Sequence, residues 1–392
     1  MRDFLSERAK KIRPSGIRKF FDMASERKDV ISLGVGEPDF ITPWEIRNAG
    51  IQSVKKGYTQ YTSNSGLKAL REEISTYLDN RFNAKFSPEN IVITVGASEA
   101  IDITLRAIVN EGDEILIPDP SYVSYKPCVE LLGGVPVCVP CSWENGFKLT
   151  SENLEKVITE KTKAIIFPYP NNPTGGIMER EFIDKIVPVI LKHDLLVISD
   201  EIYAELSYGK THCSVASIPA LKDRVVLISG FSKSFAMTGW RVGYVCAPVE
   251  IKQTLLKIHQ YTTICAPIFA QYAALAGLQQ GEKDGFSSVV EMKNQYDKRR
   301  KFMYNSFLEM GLDCFEPKGA FYVFPSVKSL GMTGEEFALK LLEEKKIAVV
   351  PGNAFGEFGE YHVRVSYAYS MKNLVEAMER IAEFVNEIKN KK

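Results

Sequence analysis

Four clusters in this sequence carry side chains suited to covalent and proton-transfer chemistry. Lys233 lies between Ser232 and Ser234, four positions past the apolar run that ends at Ser229, and eight before Arg241 in Gly239-Trp240-Arg241-Val242-Gly243. A lysine with small neighbours and a glycine-flanked arginine nearby has the makings of an amine nucleophile beside an anion site. Its plain alternative is a solvated surface charge, which most lysines are. Asp200 follows the apolar run Leu195–Ser199, a costly place for a carboxylate that lacks a cationic partner. Something positive should face it, unless it only caps the next segment. Gly96-Ala97-Ser98 joins a strand-like run to a stretch of helical character beginning near Glu99. Such a turn offers free amides and the positive end of a helix to a phosphate, or is an ordinary serine cap. Asn171-Asn172-Pro173-Thr174-Gly175 has the residues of a tight turn, and its Asn-Pro bond is a candidate for the cis form.

These clusters need a frame. Between about residues 45 and 280, short β-rich runs alternate with helical patterns: Ile91–Val95, Ile115–Pro118, Ala164–Pro168, Leu195–Ser199, Val225–Ser229 and Val242–Ala247, with a further strand-like run at Val135–Val139. That rhythm predicts parallel strands with helical crossovers. Leu67, Leu70, Ile74, Tyr77 and Leu78 recur at helical spacing within residues 66–82, whereas the strand runs are apolar on both faces, as a sheet covered by helices requires. In an open α/β sheet, ligands bind beyond the carboxyl ends of the strands. All four clusters stand at such ends and should open on one crevice. After about residue 285 the pattern changes to charged helices near Glu291–Glu309 and Glu335–Glu344, with strands near Phe321–Phe324 and Val363–Ser366. A smaller second lobe is expected there, joined by the N-terminal segment.

Composition removes several function classes. Lysine plus arginine and aspartate plus glutamate both number 49 in 392 residues, so no basic excess exists to neutralise a nucleic acid. The longest apolar stretch, Ile264–Leu278, is interrupted by Pro267 and Gln271 and falls short of the roughly 20 residues that span a bilayer. No membrane contact is expected, and the start, with Arg2, Asp3, Glu7 and Arg8, does not read as a secretory signal. A cytoplasmic protein with reduced thiols fits the seven scattered cysteines. Cys138 and Cys141 form a C-x-x-C without a second pair or nearby histidine, so no metal site is expected. Gly34-Val35-Gly36 is no dinucleotide fingerprint, because Asp39 stands where the third glycine would be. No phosphate-binding G-x-x-x-x-G-K-[ST] run exists either, which disfavours NAD and ATP. Lys10, Lys11, Arg13, Arg18 and Lys19 read as a solvated basic face rather than a lipid contact.

The order of these pieces is more informative than any one. Over nearly its whole length the chain resembles the class I/II pyridoxal-phosphate aminotransferases of fold type I. The resemblance is carried by Ser32-Leu33-Gly34-Val35-Gly36-Glu37-Pro38-Asp39-Phe40, Tyr58-Thr59-Gln60-Tyr61, Asn172-Pro173-Thr174-Gly175, Ser199-Asp200-Glu201-Ile202-Tyr203, the run from Ser232 to Arg241, and Val363-Arg364-Val365-Ser366-Tyr367. It implies an α/β fold: a large domain, residues 45–285, with a mostly parallel seven-stranded sheet between helices, and a smaller α/β domain from residues 1–44 and 286–392 with an N-terminal closing segment.

It also implies roles. Lys233 would bond covalently to the cofactor, pyridoxal 5′-phosphate, and move the proton between the substrate Cα and cofactor C4′; Asp200 would keep the pyridine nitrogen protonated. Tyr203 and Asn172 would hydrogen-bond the ring oxygen, and Tyr122 would stack on the ring face. Arg241, Ser232, the Ala97 and Ser98 amides, and Tyr61 from a partner subunit would hold the phosphate, which implies a homodimer. Arg364 resembles the family's fork for the substrate α-carboxylate. Gly36 would let the chain approach that carboxylate closely, and Ile17, in Ser15-Gly16-Ile17, would belong to the closing segment. The substrates would be an amino acid and a 2-oxo acid. Some aspartate-using relatives carry a basic residue where Ser98 stands, so aspartate is less favoured. Phe321–Ser329 and Lys257–Tyr261 look like the branch that uses aromatic amino acids or N-acetyl-diaminopimelate with 2-oxoglutarate. The same Lys233, Asp200 and Arg364 would also serve a C–S β-lyase or a ring-closing enzyme. A nonenzymatic regulator on this fold would need a DNA-binding segment, for which the 33 residues before Gly34 leave no room.

Overall fold

The computed structural model describes residues 2–14, 16–17 and 29–391. Ser15, Arg18 and Lys19 lie outside the described residues. The strands are β1 (Ile31–Ser32), β2 (Ile91–Thr94), β3 (Glu114–Asp119), β4 (Val135–Pro140), β5 (Thr162–Phe167), β6 (Leu196–Asp200), β7 (Val225–Gly230), β8 (Gly243–Cys246), β9 (Tyr322–Val323), β10 (Ile347–Ala348), β11 (Val350–Pro351) and β12 (Val363–Ser366).

Seven of them form one sheet in the order β2-β8-β7-β6-β5-β3-β4. Alternate residues of a strand face opposite sides, and both sides here are apolar and covered. Ile91, Ile93, Leu116, Val197 and Leu227 pack into one core, whereas Val92, Ile115, Ile117, Ile198, Val226 and Val245 pack into another. This is why the strand runs read as continuously apolar. The expected strands all form, with one correction to their direction. β8 runs antiparallel to both β2 and β7, because residues 231–242 connect β7 to β8 through turns with no helix, and parallel return needs a helical crossover.

The second region is built on short pairings. β11, β12 and β9 make a three-stranded antiparallel sheet, and β1 pairs in parallel with β10. Over them pack helices Ser287–Glu309, Gly334–Lys345 and Met371–Asn390, around Leu33, Tyr296, Phe307, Phe321, Phe337, Leu374 and Phe384. Thr333 and Glu336 exchange hydrogen bonds in a capping box that starts the second of these helices. Among the described residues no helix is long and apolar enough to cross a membrane.

Candidate active site

A cleft of about 1330 Å³ opens at the carboxyl ends of β2, β5, β6 and β7. It gathers Gly36, Ala97, Ser98, Tyr122, Asn172, Asp200, Tyr203, Ser232, Lys233, Arg241, Arg364 and Ile17 on its walls. All four strand-end clusters therefore meet. Of the site residues named from the sequence, only Tyr61 is apart from the cleft; its ring is 79% exposed on the surface of the single chain.

Lys233 stands in the turn-rich connection after β7, where its ammonium donates to the Gly36 carbonyl at 2.6 Å. The amine lies about 5.9 Å from the Tyr203 ring centroid and 5.8 Å from that of Phe321. Burial lowers its pKa to about 8, with Arg364 and Arg241 adding repulsion and Glu37 and Asp200 opposing the shift. A sizeable fraction of neutral amine near neutral pH is what a nitrogen nucleophile needs.

Asp200 is buried at the end of β6. Its Oδ2 accepts from the Tyr125 hydroxyl at 2.8 Å and its Oδ1 from the Ile202 amide at 3.2 Å, so a capping contact coexists with its place on the cleft wall. Burial pushes this carboxyl above its ordinary range, against the pull of the two donors. A cation placed against it would reverse that shift.

The start of helix Gly96–Ile108 forms an anion cradle. A Cβ on Gly96 would stand 2.6 Å from the Arg241 guanidinium, and one on Gly243 would stand 2.7 Å from the Ala97 nitrogen, so glycine is required for the arginine and the β8 backbone to come this close. Arg241, at a left-handed φ of 53°, donates to the Thr238 carbonyl at 2.8 Å. Behind the turn, Glu99 accepts from the Val95 amide at 2.5 Å and the Thr263 hydroxyl at 2.8 Å, and its Oε1 lies 2.8 Å from His259 Nδ1. This clamp fixes the first helical turn, and no sequence signal pointed to it.

Opposite stands buried Arg364 on β12. Its guanidinium donates to Asn172 Oδ1 at 2.9 Å and the Gly34 carbonyl at 2.5 Å, and lies 4.4 Å from the centroid of Tyr322. Its Nε is buried without a partner, an unsatisfied donor that an anionic ligand would satisfy. Tyr322 was not singled out as a site residue, yet its hydroxyl meets that of Tyr203 at 3.0 Å and would stand 2.6 Å from a Cβ on Gly36. The Asn172-Pro173 bond is cis.

The comparisons with known proteins agree with this geometry. The family model for aminotransferase class I and II matches residues 28–381. The chain belongs to that family. Aspartate aminotransferase of Pyrococcus abyssi is 44% identical over 387 residues, covering 98% of this chain and 99% of that one. Aromatic-amino-acid aminotransferase 2 of Thermococcus litoralis is 40% identical over the same length, with 98% and 99% covered. Among solved structures, aspartate aminotransferase from Thermus thermophilus with maleate matches with a TM-score of 0.93 at 34% identity, covering 98% of this chain and 100% of that one. The protein is thus an aminotransferase of fold type I that depends on pyridoxal phosphate, and the lyase alternative is not favoured. The site suits that cofactor: a free-amide helix start beside an arginine for its phosphate, a buried carboxylate without a cation for its ring nitrogen, and an amine of lowered pKa for its aldehyde.

Proposed function

We propose that this aminotransferase moves the amino group of an L-amino acid of the aromatic, aspartate or N-acetyl-diaminopimelate type to a 2-oxo acid, 2-oxoglutarate being the acceptor. The observation that carries the reading is the placement of Lys233 and Asp200 in one cleft with Arg364. The bound pyridoxal phosphate supplies an electron sink for the pair left at the substrate Cα.

The remaining work falls to the chain. Lys233 would hold the cofactor through its aldehyde and would carry the proton between the substrate Cα and cofactor C4′. Asp200 would hold a proton at the ring nitrogen, and Tyr125 fixes the carboxylate through its hydroxyl. Tyr203 and Asn172 donate to the ring oxygen; Asn172 Oδ1 already accepts from Arg364, which leaves the amide NH₂ free for that task. Tyr122, on the cleft wall, would stack on the ring. Arg241, Ser232 and the Ala97 and Ser98 amides bind the phosphate, and the exposed Tyr61 reaches the same group in a partner subunit, making the enzyme a homodimer. Arg364 takes the α-carboxylate, Gly36 leaves space for it, and Ile17 closes over the site.

We further assign residues 45–285 to a large cofactor-binding domain and residues 1–44 and 286–392 to a small domain with an N-terminal closing segment. Seven free cysteines support residence in a reducing cytoplasm. The test of substrate class is a screen of about twenty amino donors against 2-oxoglutarate, followed by the cofactor absorbance. The expected result is loss of the band on adding donor and its return with the 2-oxo acid. Ammonia release without that return would contradict transamination.

A further inference from the structure

Four cations stand on the walls of the cleft among the described residues, and the proposed function uses three. Lys233 is committed to the Gly36 carbonyl and the cofactor, Arg241 to the Thr238 carbonyl and the phosphate, and Arg364 to Asn172, Gly34 and the α-carboxylate. The fourth is Arg13, which also faces the cleft. It makes no hydrogen bond or ion pair with another described residue, unlike Lys10 of the basic cluster and the nearby Arg8. Lys10 pairs with Asp3 and Glu7, and Arg8 pairs with Glu111 on the large sheet's side. Within the cluster, then, Lys10 is neutralised by acids on the outside, while Arg13, itself exposed, lines the cleft.

The segment carrying Arg13 is anchored on both sides. Before it, helix Glu7–Lys11 is tied down by Arg8 and Glu111. After it, Gly16 packs so closely that an added Cβ would stand 3.1 Å from the Ala354 Cβ. Ile12 and Ile17 give this part of the cleft an apolar lining with one cation beside them, while Ser98 brings no charge and Glu37, an acid on the cleft wall, accepts from Thr238. A side chain made of methylenes ending in a carboxylate complements that arrangement: apolar length against the isoleucines, and charge against an unpartnered guanidinium.

We infer that Arg13 is a specificity-determining residue, binding the distal carboxylate of a dicarboxylic substrate of the 2-oxoglutarate class while Arg364 holds the α-carboxylate. This rests on the reading that places the α-carboxylate at Arg364. The experiment uses the loaded enzyme and two unreactive ligands, maleate and 3-phenylpropanoate, titrated through the cofactor absorbance in wild type, R13Q, R13K and R364K. In R13Q, maleate should bind about tenfold more weakly while 3-phenylpropanoate changes by less than about twofold, and R13K should recover part of the loss. Michaelis constants should follow, rising for 2-oxoglutarate and not for phenylpyruvate. The inference is overturned if R13Q weakens both ligands alike, if it weakens neither, or if the wild type does not bind maleate. R364K should weaken both ligands; if it weakens neither, the underlying reading fails, which separates that failure from failure at Arg13.

Discussion

Along one wall of the cleft the side chains hang from the carboxyl ends of β2, β5, β6 and β7, whereas along the other they come from residues 12–14, 16 and 17, from Gly34–Gly36, and from β9 and β12, with Gly34 and Arg364 meeting across 330 residues of sequence. The first wall is positioned by one covered sheet, whose strands are almost wholly buried, so its residues keep fixed places relative to one another. The second is positioned by two- to four-residue strands and by bonds such as Arg364 to the Gly34 carbonyl. The difference separates two jobs. Under the proposed roles, the cofactor chemistry sits on the rigid wall, and the substrate's carboxylates are recognised on the wall built from short strands and loops.

Substitutions test this division, and the largest effect belongs to the rigid wall. Lys233→Ala should lower kcat by about three orders of magnitude or more, because nucleophile and proton carrier are lost together, while cofactor still binds; near-normal turnover would break the scheme. Asp200→Asn keeps the shape and removes the charge, and should cost about a hundredfold or more in kcat with little change in KM. A KM effect alone would move Asp200 to the recognition wall. Arg364→Lys should do the converse, lowering kcat/KM by on the order of a hundredfold mainly through KM for every donor, since the planar fork is lost; a donor-selective effect would mean that Arg364 reads side chains.

Two smaller effects sharpen the boundary. Because burial holds the Lys233 amine at about 8, the neutral form rises with pH, and uptake of pyridoxal phosphate by the cofactor-free protein should quicken about tenfold per unit below that value and level off above it. Stopped-flow absorbance reads this, and a flat profile would contradict the lowered pKa. Tyr322→Phe removes the hydroxyl that meets Tyr203 at 3.0 Å and should cost only about threefold to tenfold in kcat. No change in kcat would confine Tyr322 to packing against Arg364.

The rigid wall was readable in the chain because its logic is local: an apolar run buried on both faces, then a polar or glycine turn at its carboxyl end. Asp200 and Lys233 stand out on that basis. Arg364 and Gly36 needed the family resemblance, since nothing near them in sequence shows that they meet. Tyr322 was legible only as part of a strand, because a buried tyrosine on β9 looks like any core aromatic until the pairing of Ser366 with Tyr322 aims its hydroxyl at Tyr203. β1, β10 and β11, at two residues each, are too short to show a period. Helix Met371–Asn390, with Leu374, Ala377, Met378, Ile381, Phe384 and Val385 buried at helical spacing, carries a clear signal that the expectations omitted. Arg13 looks like surface charge because Lys10 and Lys11 just before it are exposed.

The central claim is that Lys233, among all the amines of the chain, is the one joined to the cofactor. Reducing the loaded enzyme with borohydride makes that link permanent, and peptide mapping by mass spectrometry then locates it. The account predicts one pyridoxyl group per chain, on the peptide containing Ser232-Lys233-Ser234; the same group found on another lysine, or no stable adduct at all, would contradict it.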